Sequence, residues 1–244
     1  MEEYQAVFRR MEVKYLLNTE ALSALMPILL AHMEPDAFPH SSISNLYYDT
    51  PDFRMVRRSL EKPQYKEKLR LRSYGVPENS STVFPEIKKK AQGVVYKRRV
   101  SMPYLQALDS LSGAGFPENH QISRELNWML GAYPNLAPRV YLSYERDSWR
   151  GIQEPDLRLT LDRDILSRTH GLDLRQGVWG EPLLMPGQTL MELKIPGAVP
   201  LWLSGALSEL RIFPVSYSKY GAVYKKLCLE WQKYEAETEF RRYA

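Results

Sequence analysis

Residues 68–72 read Lys68-Leu69-Arg70-Leu71-Arg72, cations and leucines in strict alternation. Side chains of a β-strand project to opposite faces with period two, so this stretch has one cationic face and one apolar face. The pattern recurs outward along the chain. It is found in Arg10-Met11-Glu12-Val13-Lys14, Glu86-Ile87-Lys88-Lys89-Lys90, Val95-Tyr96-Lys97-Arg98-Arg99, Arg158-Leu159-Thr160-Leu161-Asp162 and Glu192-Leu193-Lys194. A half-buried strand ordinarily carries a mixed polar outer face. Here Arg and Lys dominate that face, with an occasional Glu or Asp among them. Strands of this kind in one sheet build a wall of cations, and such a wall points to a polyanion.

Composition sets the bounds. The chain has 244 residues, 44% of them hydrophobic, enough to bury a sizeable core. No repeat, low-complexity tract or linker divides it, so residues 1–244 read as a single domain. The net charge of +4 suits an acidic partner without establishing one. Cys228 is the single cysteine, which excludes an internal disulfide and fits a reducing compartment. The first residues, Met1-Glu2-Glu3-Tyr4-Gln5, contain no apolar signal core. The longest apolar run, around residues 25–31, is too short for a transmembrane segment and contains Pro27. These features predict a cytoplasmic protein.

Local signals place the elements. Asn18-Thr19-Glu20 predicts the cap of a helix reaching about Met33, with Leu22, Leu25, Met26, Leu29 and Leu30 on one face. Residues 43–49 read as a strand ended by Thr50-Pro51, residues 52–60 as a helical turn, and residues 65–74 as a strand. Two further strands flank the Ala91-Gln92-Gly93 turn. Residues 102–133 read as helical, broken by Gly113, Gly115 and Pro117. Strands resume at 139–149, 157–166 and 189–195. A short helix over 200–210 precedes a final one capped by Ser218, with Val223, Leu227, Trp231 and Tyr234 as its apolar stripe. The sum is an α+β domain with about eight strands and peripheral helices.

The apolar reverse faces carry Met11, Val13 and Tyr15, Leu69 and Leu71, Leu157, Leu159 and Leu161, and Met191, Leu193 and Ile195. Amphipathic helices can cover them. The cationic faces then look at bulk water or into a shared lumen. For one strand a solvated face is the simpler reading. For all of them together a closed sheet is favoured, although the like charges inside it repel by about 1 kcal/mol or more per close pair at an effective dielectric near 20. A dense anion relieves that repulsion, and Arg forks match phosphate oxygens.

The order of these motifs is itself informative. Arg10-x-Glu12-x-Lys14-Tyr15 is followed by Tyr47-Tyr48-Asp49-Thr50, the Leu-Arg alternation at 69–72 and Glu86-x-Lys88-x-Lys90. Then come Tyr144-Glu145-Arg146, residues 157–162, Glu192-Leu193-Lys194 and Ser218-Lys219-Tyr220. The series resembles the VTC-type polyphosphate polymerase domain, a triphosphate tunnel metalloenzyme related to CYTH domains, from about Phe8 to Gly221.

The resemblance implies a closed eight-stranded antiparallel β-barrel, a triphosphate tunnel with basic walls. ATP would bind inside, with Mn²⁺ or Mg²⁺ held through an acidic wall residue, and the γ-phosphate would pass to a growing polyphosphate chain. The matching positions imply phosphate contacts at Lys14, Arg70, Arg72, Lys88, Arg146, Arg158 and Lys219, the five from Arg70 to Arg158 being the catalytic set. They imply a metal contact at Glu192, and a further cation at Lys97 or Arg99. The cationic strand faces add Arg10, Lys90 and Lys194 as substrate-binding residues. Glu12, Glu86 and Asp162 are further metal candidates, and for each the alternative role is ion pairing with neighbouring Arg and Lys. Members of the family with polymerase activity carry another basic residue three before the Ser-Lys lysine, where this chain has Ser216.

Phosphoryl transfer needs positioning and charge neutralisation more than covalent chemistry, and fixed Arg and Lys supply both. Three activities share this pattern: a metal-dependent polymerase, an inorganic or nucleoside triphosphatase in which water replaces the acceptor, and a non-catalytic polyphosphate or nucleotide sensor. The partners are accordingly ATP, triphosphate or polyphosphate. Nucleic acid ranks last, because the cations alternate with Leu, Ile, Val and Met rather than exposed aromatics. A membrane-protein partner is left unassigned. Other chemistries lack their residues. His32, His40, His120 and His170 have no zinc spacing, Gly113-Ala114-Gly115 is an isolated fragment, and no Walker loop is present. Asp49 reads as a turn cap, Cys228 as packing, and Tyr144 and Trp149 as core or base contacts.

Overall fold

The alternating stretches fold as strands with the boundaries their period dictates. The computed structural model describes residues 11–92, 94–117 and 120–243; Arg10 and Gly93 of the expected motifs lie outside them. In chain order the elements are β1 (Met11–Leu17), α1 (Thr19–His32), β2 (Met33–Asp49), α2 (Arg54–Leu60), β3 (Tyr65–Tyr74), β4 (Thr82–Ala91) and β5 (Val94–Arg99). There follow β6 (Met102–Pro103), α3 (Tyr104–Asp109), α4 (Gln121–Ala132), β7 (Ala137–Gly151), β8 (Arg158–Arg168), β9 (Glu181–Pro182), β10 (Thr189–Ile195), α5 (Leu201–Glu209) and α6 (Lys219–Tyr243). Among the described residues no helix is long and apolar enough to cross a membrane.

The helix ends follow local chemistry. The Asn18 side chain accepts a hydrogen bond from the Ala21 N–H at 2.8 Å and opens α1. Ser218 accepts from the Gly221 N–H at 3.2 Å at the head of α6. The helical stretch expected over 102–133 divides into α3 and α4, because Gly113 and Gly115 adopt φ of 128° and 77°, open to glycine and strained for other residues.

One antiparallel sheet runs in the order β1-β10-β8-β7-β2-β3-β4-β5, with β6 added to β4 and β9 to β8. The closed eight-stranded barrel expected from the sequence is therefore corrected on both counts: among the described residues the sheet has ten strands and stays open between β1 and β5. The two extra strands are two-residue pairings, too short to carry a periodic signal. The sheet stays open partly because the free edge of β1 is already engaged. The Val215 N–H donates to the Lys14 carbonyl at 2.7 Å, and Tyr15 bridges to Pro214. Side chains cross the seam instead, Lys88 reaching Glu12 at 2.9 Å.

β2 also begins earlier than its alternation indicates. Its first half pairs with the end of β7 across a register shift between Pro35 and His40, a region where two prolines interrupt any periodic pattern.

The apolar faces lie on the convex side. Leu157, Leu159, Leu161, Met191, Leu193 and Ile195 pack with Leu25 and Leu29 of α1 and Leu203 and Leu207 of α5. Leu69, Leu71, Val83 and Ile87 pack beneath Tyr104 of α3 and Leu126 and Met129 of α4. A third cluster fills one end of the concave side, where Tyr47, Val140, Leu142, Ile165 and Leu190 meet Val56 of α2 and Tyr220 and Val223 of α6. The amphipathic period thus turns the ionic faces inward across a curved sheet.

Leu193 is fully buried at the centre of the convex cluster. Leu193→Ala should lower unfolding free energy by about 2–5 kcal/mol in urea titrations. A loss under about 1 kcal/mol would place β10 outside the core.

Candidate functional site

Strand register sorts the inward charges into rows. Lys14 stands opposite Glu192, Glu12 opposite Lys194, Arg70 opposite Glu86 and Arg146 opposite Asp162. Opposite charges facing across antiparallel strands stabilise the sheet. Elsewhere like charges face each other: Lys68, Lys88 and Lys97 lie side by side on β3, β4 and β5, Lys66 stands opposite Lys90, and Lys194 stands opposite Arg158.

These rows converge on a cavity of about 320 Å³. Its cations are Lys14, Lys68, Arg70, Arg72, Lys88, Lys97, Arg146, Lys194 and Lys219, and its carboxylates are Glu12, Glu86 and Glu192. Tyr47, Tyr144, Ser218 and Tyr220 complete most of the lining.

Two carboxylate centres hold the guanidinium groups in place. Glu86, 1% exposed, accepts from Arg70 Nε at 2.8 Å and lies 3.1 Å from Lys97 Nζ. Asp162, fully buried behind the lining, takes both Nε and Nη2 of Arg146 at 2.6 and 2.7 Å and also pairs with Lys219. Arg72 donates to Asn45 Oδ1 at 3.0 Å and to the Tyr144 hydroxyl at 3.1 Å. Arg70 donates to the Tyr47 hydroxyl at 3.1 Å, and the Tyr47 ring stacks on Tyr220. Tyr220 in turn donates to Asp49 at 2.8 Å. Asp49 also accepts from the Met55 and Val56 N–H groups, so it caps α2 and ties α6 to it.

Charge and burial oppose each other at the carboxylates and at Tyr47, and act together on Lys68 and Lys194. Burial would raise the Glu192 carboxyl, but Lys219, Lys14 and Arg146 hold it well below the usual range. Burial acts the same way on Glu12, where Lys88 and Lys14 prevail and bring it to about 2. Burial, reinforced by Lys88 and Lys14, brings Lys68 down to about 8. Lys194 falls to about 8 through burial and repulsion from Arg146. Lys97 is pushed down by burial and by Arg72 and Arg70, though its half-exposed position at the rim lets solvent moderate the effect. Tyr47 is lowered to about 8, because Arg70 and Lys68 outweigh its burial.

Glu12 and Glu192 both contact Lys14 Nζ, at 3.4 and 3.3 Å, so their carboxylates share one wall. Among the described residues no cluster of three or more His, Cys, Asp or Glu could hold a metal. A carboxylate pair completed by phosphate oxygens and water suits Mg²⁺ or Mn²⁺, which seldom use an all-protein cage.

Of the residues expected from sequence, Lys14, Arg70, Arg72, Lys88, Lys97, Arg146, Lys194 and Lys219 line the cavity with Glu12 and Glu192. Lys90 lies in an adjoining space. Arg99 stacks over Phe84, 4.7 Å from the ring centroid, and is outside the cavity lining. Arg158 is also outside it, with its guanidinium on Asp36 in the irregular part of β2. Arg10 falls outside the described residues. The expected set omitted Lys66 and Lys68, although both continue the period-two series of Arg70 and Arg72. Tyr47 and Tyr220 carried no signal of cavity lining.

Comparison with known proteins matches this architecture. The family model of the VTC domain matches residues 9–228. No curated protein matches the chain. A Bacillus halodurans protein described as a candidate adenylate cyclase superimposes with a TM-score of 0.53 at 18% identity, over 88% of this chain and 96% of the other. One from Vibrio parahaemolyticus, described in the same terms, gives 0.50 at 14% identity over 90% and 99%. HpAC1 of Hippeastrum, whose dominant activity is described as triphosphatase, gives 0.49 at 16% identity over 88% and 96%. At these identities the likeness is one of fold.

The depressed lysines give the protein a pH signature. Between their folded value of about 8 and the unfolded value, Lys68 and Lys194 bind fewer protons in the fold than in the unfolded chain. Stability therefore rises with pH across that window. The denaturation midpoint should increase from about pH 7.5 to about 9.5, and the Lys68→Met/Lys194→Met variant should show a shallower rise. A wild-type midpoint that falls over this interval would mean that neither ammonium is desolvated.

Proposed function

The chain belongs to the VTC domain family, and on that premise we propose that it is a metal-dependent polyphosphate polymerase. It transfers the γ-phosphoryl group of ATP to the end of a polyphosphate chain within the basic cavity. The observation that carries this reading is the charge excess: nine cations meet three carboxylates in one cavity. A triphosphate of charge about −4 offsets most of that excess.

The arginines do the positioning. Arg70, Arg72 and Arg146 present planar forks that Glu86, Asn45 and Asp162 hold from behind. They align the phosphates and stabilise charge on the transferring group at little reorganisation cost. The acceptor's terminal oxygen attacks the γ-phosphorus, the bond to the β–γ bridging oxygen breaks, and ADP leaves with that electron pair. Lys219, buried at the head of α6, adds a cation beside the helix N-terminus. Glu12 and Glu192 would hold Mn²⁺ or Mg²⁺, which when bound supplies charge neutralisation across phosphate oxygens.

Ser216 favours a second reading. It stands where polymerase members of the family carry a cation, and weaker grip on an acceptor chain would let water take its place. The product is then free phosphate.

Purified protein incubated with ATP and Mn²⁺, with and without a short polyphosphate primer, separates these outcomes. Chain growth on a gel supports the polymerase, phosphate release alone the triphosphatase, and tight binding without turnover a sensor. Arg70→Ala should reduce either activity by about 100-fold or more with the circular dichroism unchanged. Arg158→Ala should cost less, since that side chain is outside the cavity lining and engaged by Asp36. Wild-type turnover in Arg70→Ala would remove the cavity from consideration as the site.

A further inference from the structure

Ser218 lines the inner cavity and also the space that adjoins it beside α2, α6 and β3. Its hydroxyl oxygen accepts from the Gly221 N–H at 3.2 Å as the cap of α6, and it also meets Lys68 Nζ at 2.9 Å. The segment around it is fixed on both sides. The Val215 N–H donates to the Lys14 carbonyl, Lys14 Nζ donates to the Tyr217 carbonyl at 3.1 Å, and Lys219 is held by Asp162 and Glu192. A Cβ at position 221 would lie 3.3 Å from Ser218 Oγ and 2.9 Å from Leu60 Cδ2, so glycine there leaves room for the hydroxyl.

Lys68 is an unusual neighbour for a capping serine. Lys14 and Lys88 are paired with Glu12, and Lys97 with Glu86. Among the described residues no ion pair engages Lys68, and Ser218 is the side chain to which it hydrogen-bonds. The ionisable groups around it are Lys14 of β1, Lys88 of β4, Lys66 on its own strand and the Tyr47 phenol of β2. Burial and the three lysines bring it to about 8, so part of the amine is neutral near physiological pH. Donor and acceptor then exchange, and Nζ lies within reach of the serine proton, as in a Ser–Lys pair. The Gly221 N–H stays on the oxygen and stabilises the charge that develops there.

We propose that Ser218 is a phosphoryl acceptor, a self-phosphorylation site for which Lys68 is the general base. The assignment rests on reading the inner cavity as the site of a nucleoside triphosphate. Lys68 takes the hydroxyl proton and Ser218 Oγ attacks the γ-phosphorus of ATP. The new P–O bond forms as the bond to the β–γ bridging oxygen breaks, and ADP leaves with that electron pair. The Lys68 ammonium then returns its proton to water. The product is a phosphoserine dianion against Lys68, in the row it shares with Lys88 and Lys97. Like charges facing across antiparallel strands destabilise a sheet, so relief of repulsion in that row favours the phosphorylated form.

The test is to incubate the full chain with Mn²⁺ and ATP labelled in the γ-phosphate, denature it and map the label by mass spectrometry. Tripolyphosphate binding is measured by calorimetry alongside. Wild type should carry an acid-stable phosphoserine at Ser218. Ser218→Asn, which keeps a capping side chain without the hydroxyl, should carry none, with its circular dichroism unchanged. Lys68→Arg keeps the cation but takes no proton, so labelling should slow by about 100-fold or more. An arginine variant labelled at the wild-type rate would reduce Lys68 to a charge and overturn its role as base. The proposal also fails if wild type binds tripolyphosphate yet stays unlabelled, if the label is acid-labile or lies on another residue, or if Ser218→Asn retains it. Failure of wild type to bind tripolyphosphate at all would instead sink the reading of the inner cavity, and with it the donor that this step requires.

Discussion

Mutual repulsion among cations on one curved wall is the constraint around which this molecule is arranged. Nine of them line a single cavity. In water such groups would spread apart, but strand register fixes their spacing and the sheet's curvature removes much of their solvent. The fold answers with carboxylates placed opposite or behind the cations. Glu86 serves Arg70, Arg72 and Lys97, while Asp162 and Glu192 serve Arg146, Lys219 and Lys14. Each buried carboxylate keeps its charge because several cations surround it, and each guanidinium keeps its orientation because a carboxylate or hydroxyl stands behind it. The compensation is incomplete along the lysine rows.

Helix α6 links this electrostatic problem to the hydrophobic one. Its first residue, Lys219, enters the ionic network, and the next, Tyr220, is buried against Tyr47 and held by Asp49. Val223 continues the apolar seal one turn later. The same short segment therefore adds a cation to the cavity and closes part of its end. Asp49 joins the two tasks, since it caps α2 and positions α6 through Tyr220 without lining the cavity itself.

Much of this was legible in the chain because period-two alternation is a local property. Leu69 and Leu71 on one face and Arg70 and Arg72 on the other follow from β geometry alone. The caps at Asn18 and Ser218 and the breaks at Gly113 and Gly115 are equally local. Three features were not legible. The two-residue strands β6 and β9 are shorter than any period. The first half of β2 forms only because β7 offers it a partner. The open seam depends on Pro214 and Val215, nearly two hundred residues away from the β1 edge that they engage.

By itself, then, the sequence determined which side chains share a face, that those faces are cationic, and that apolar reverse faces need helical cover. Tertiary structure decided which charges meet. Alternation says that Arg158 and Arg146 both face inward, but only register and the bulge in β2 assign the first to Asp36 and the second to Asp162. It also decided that lysines on three separate strands lie in one row, because the alignment of one strand against another is set by long-range pairing that no local pattern encodes.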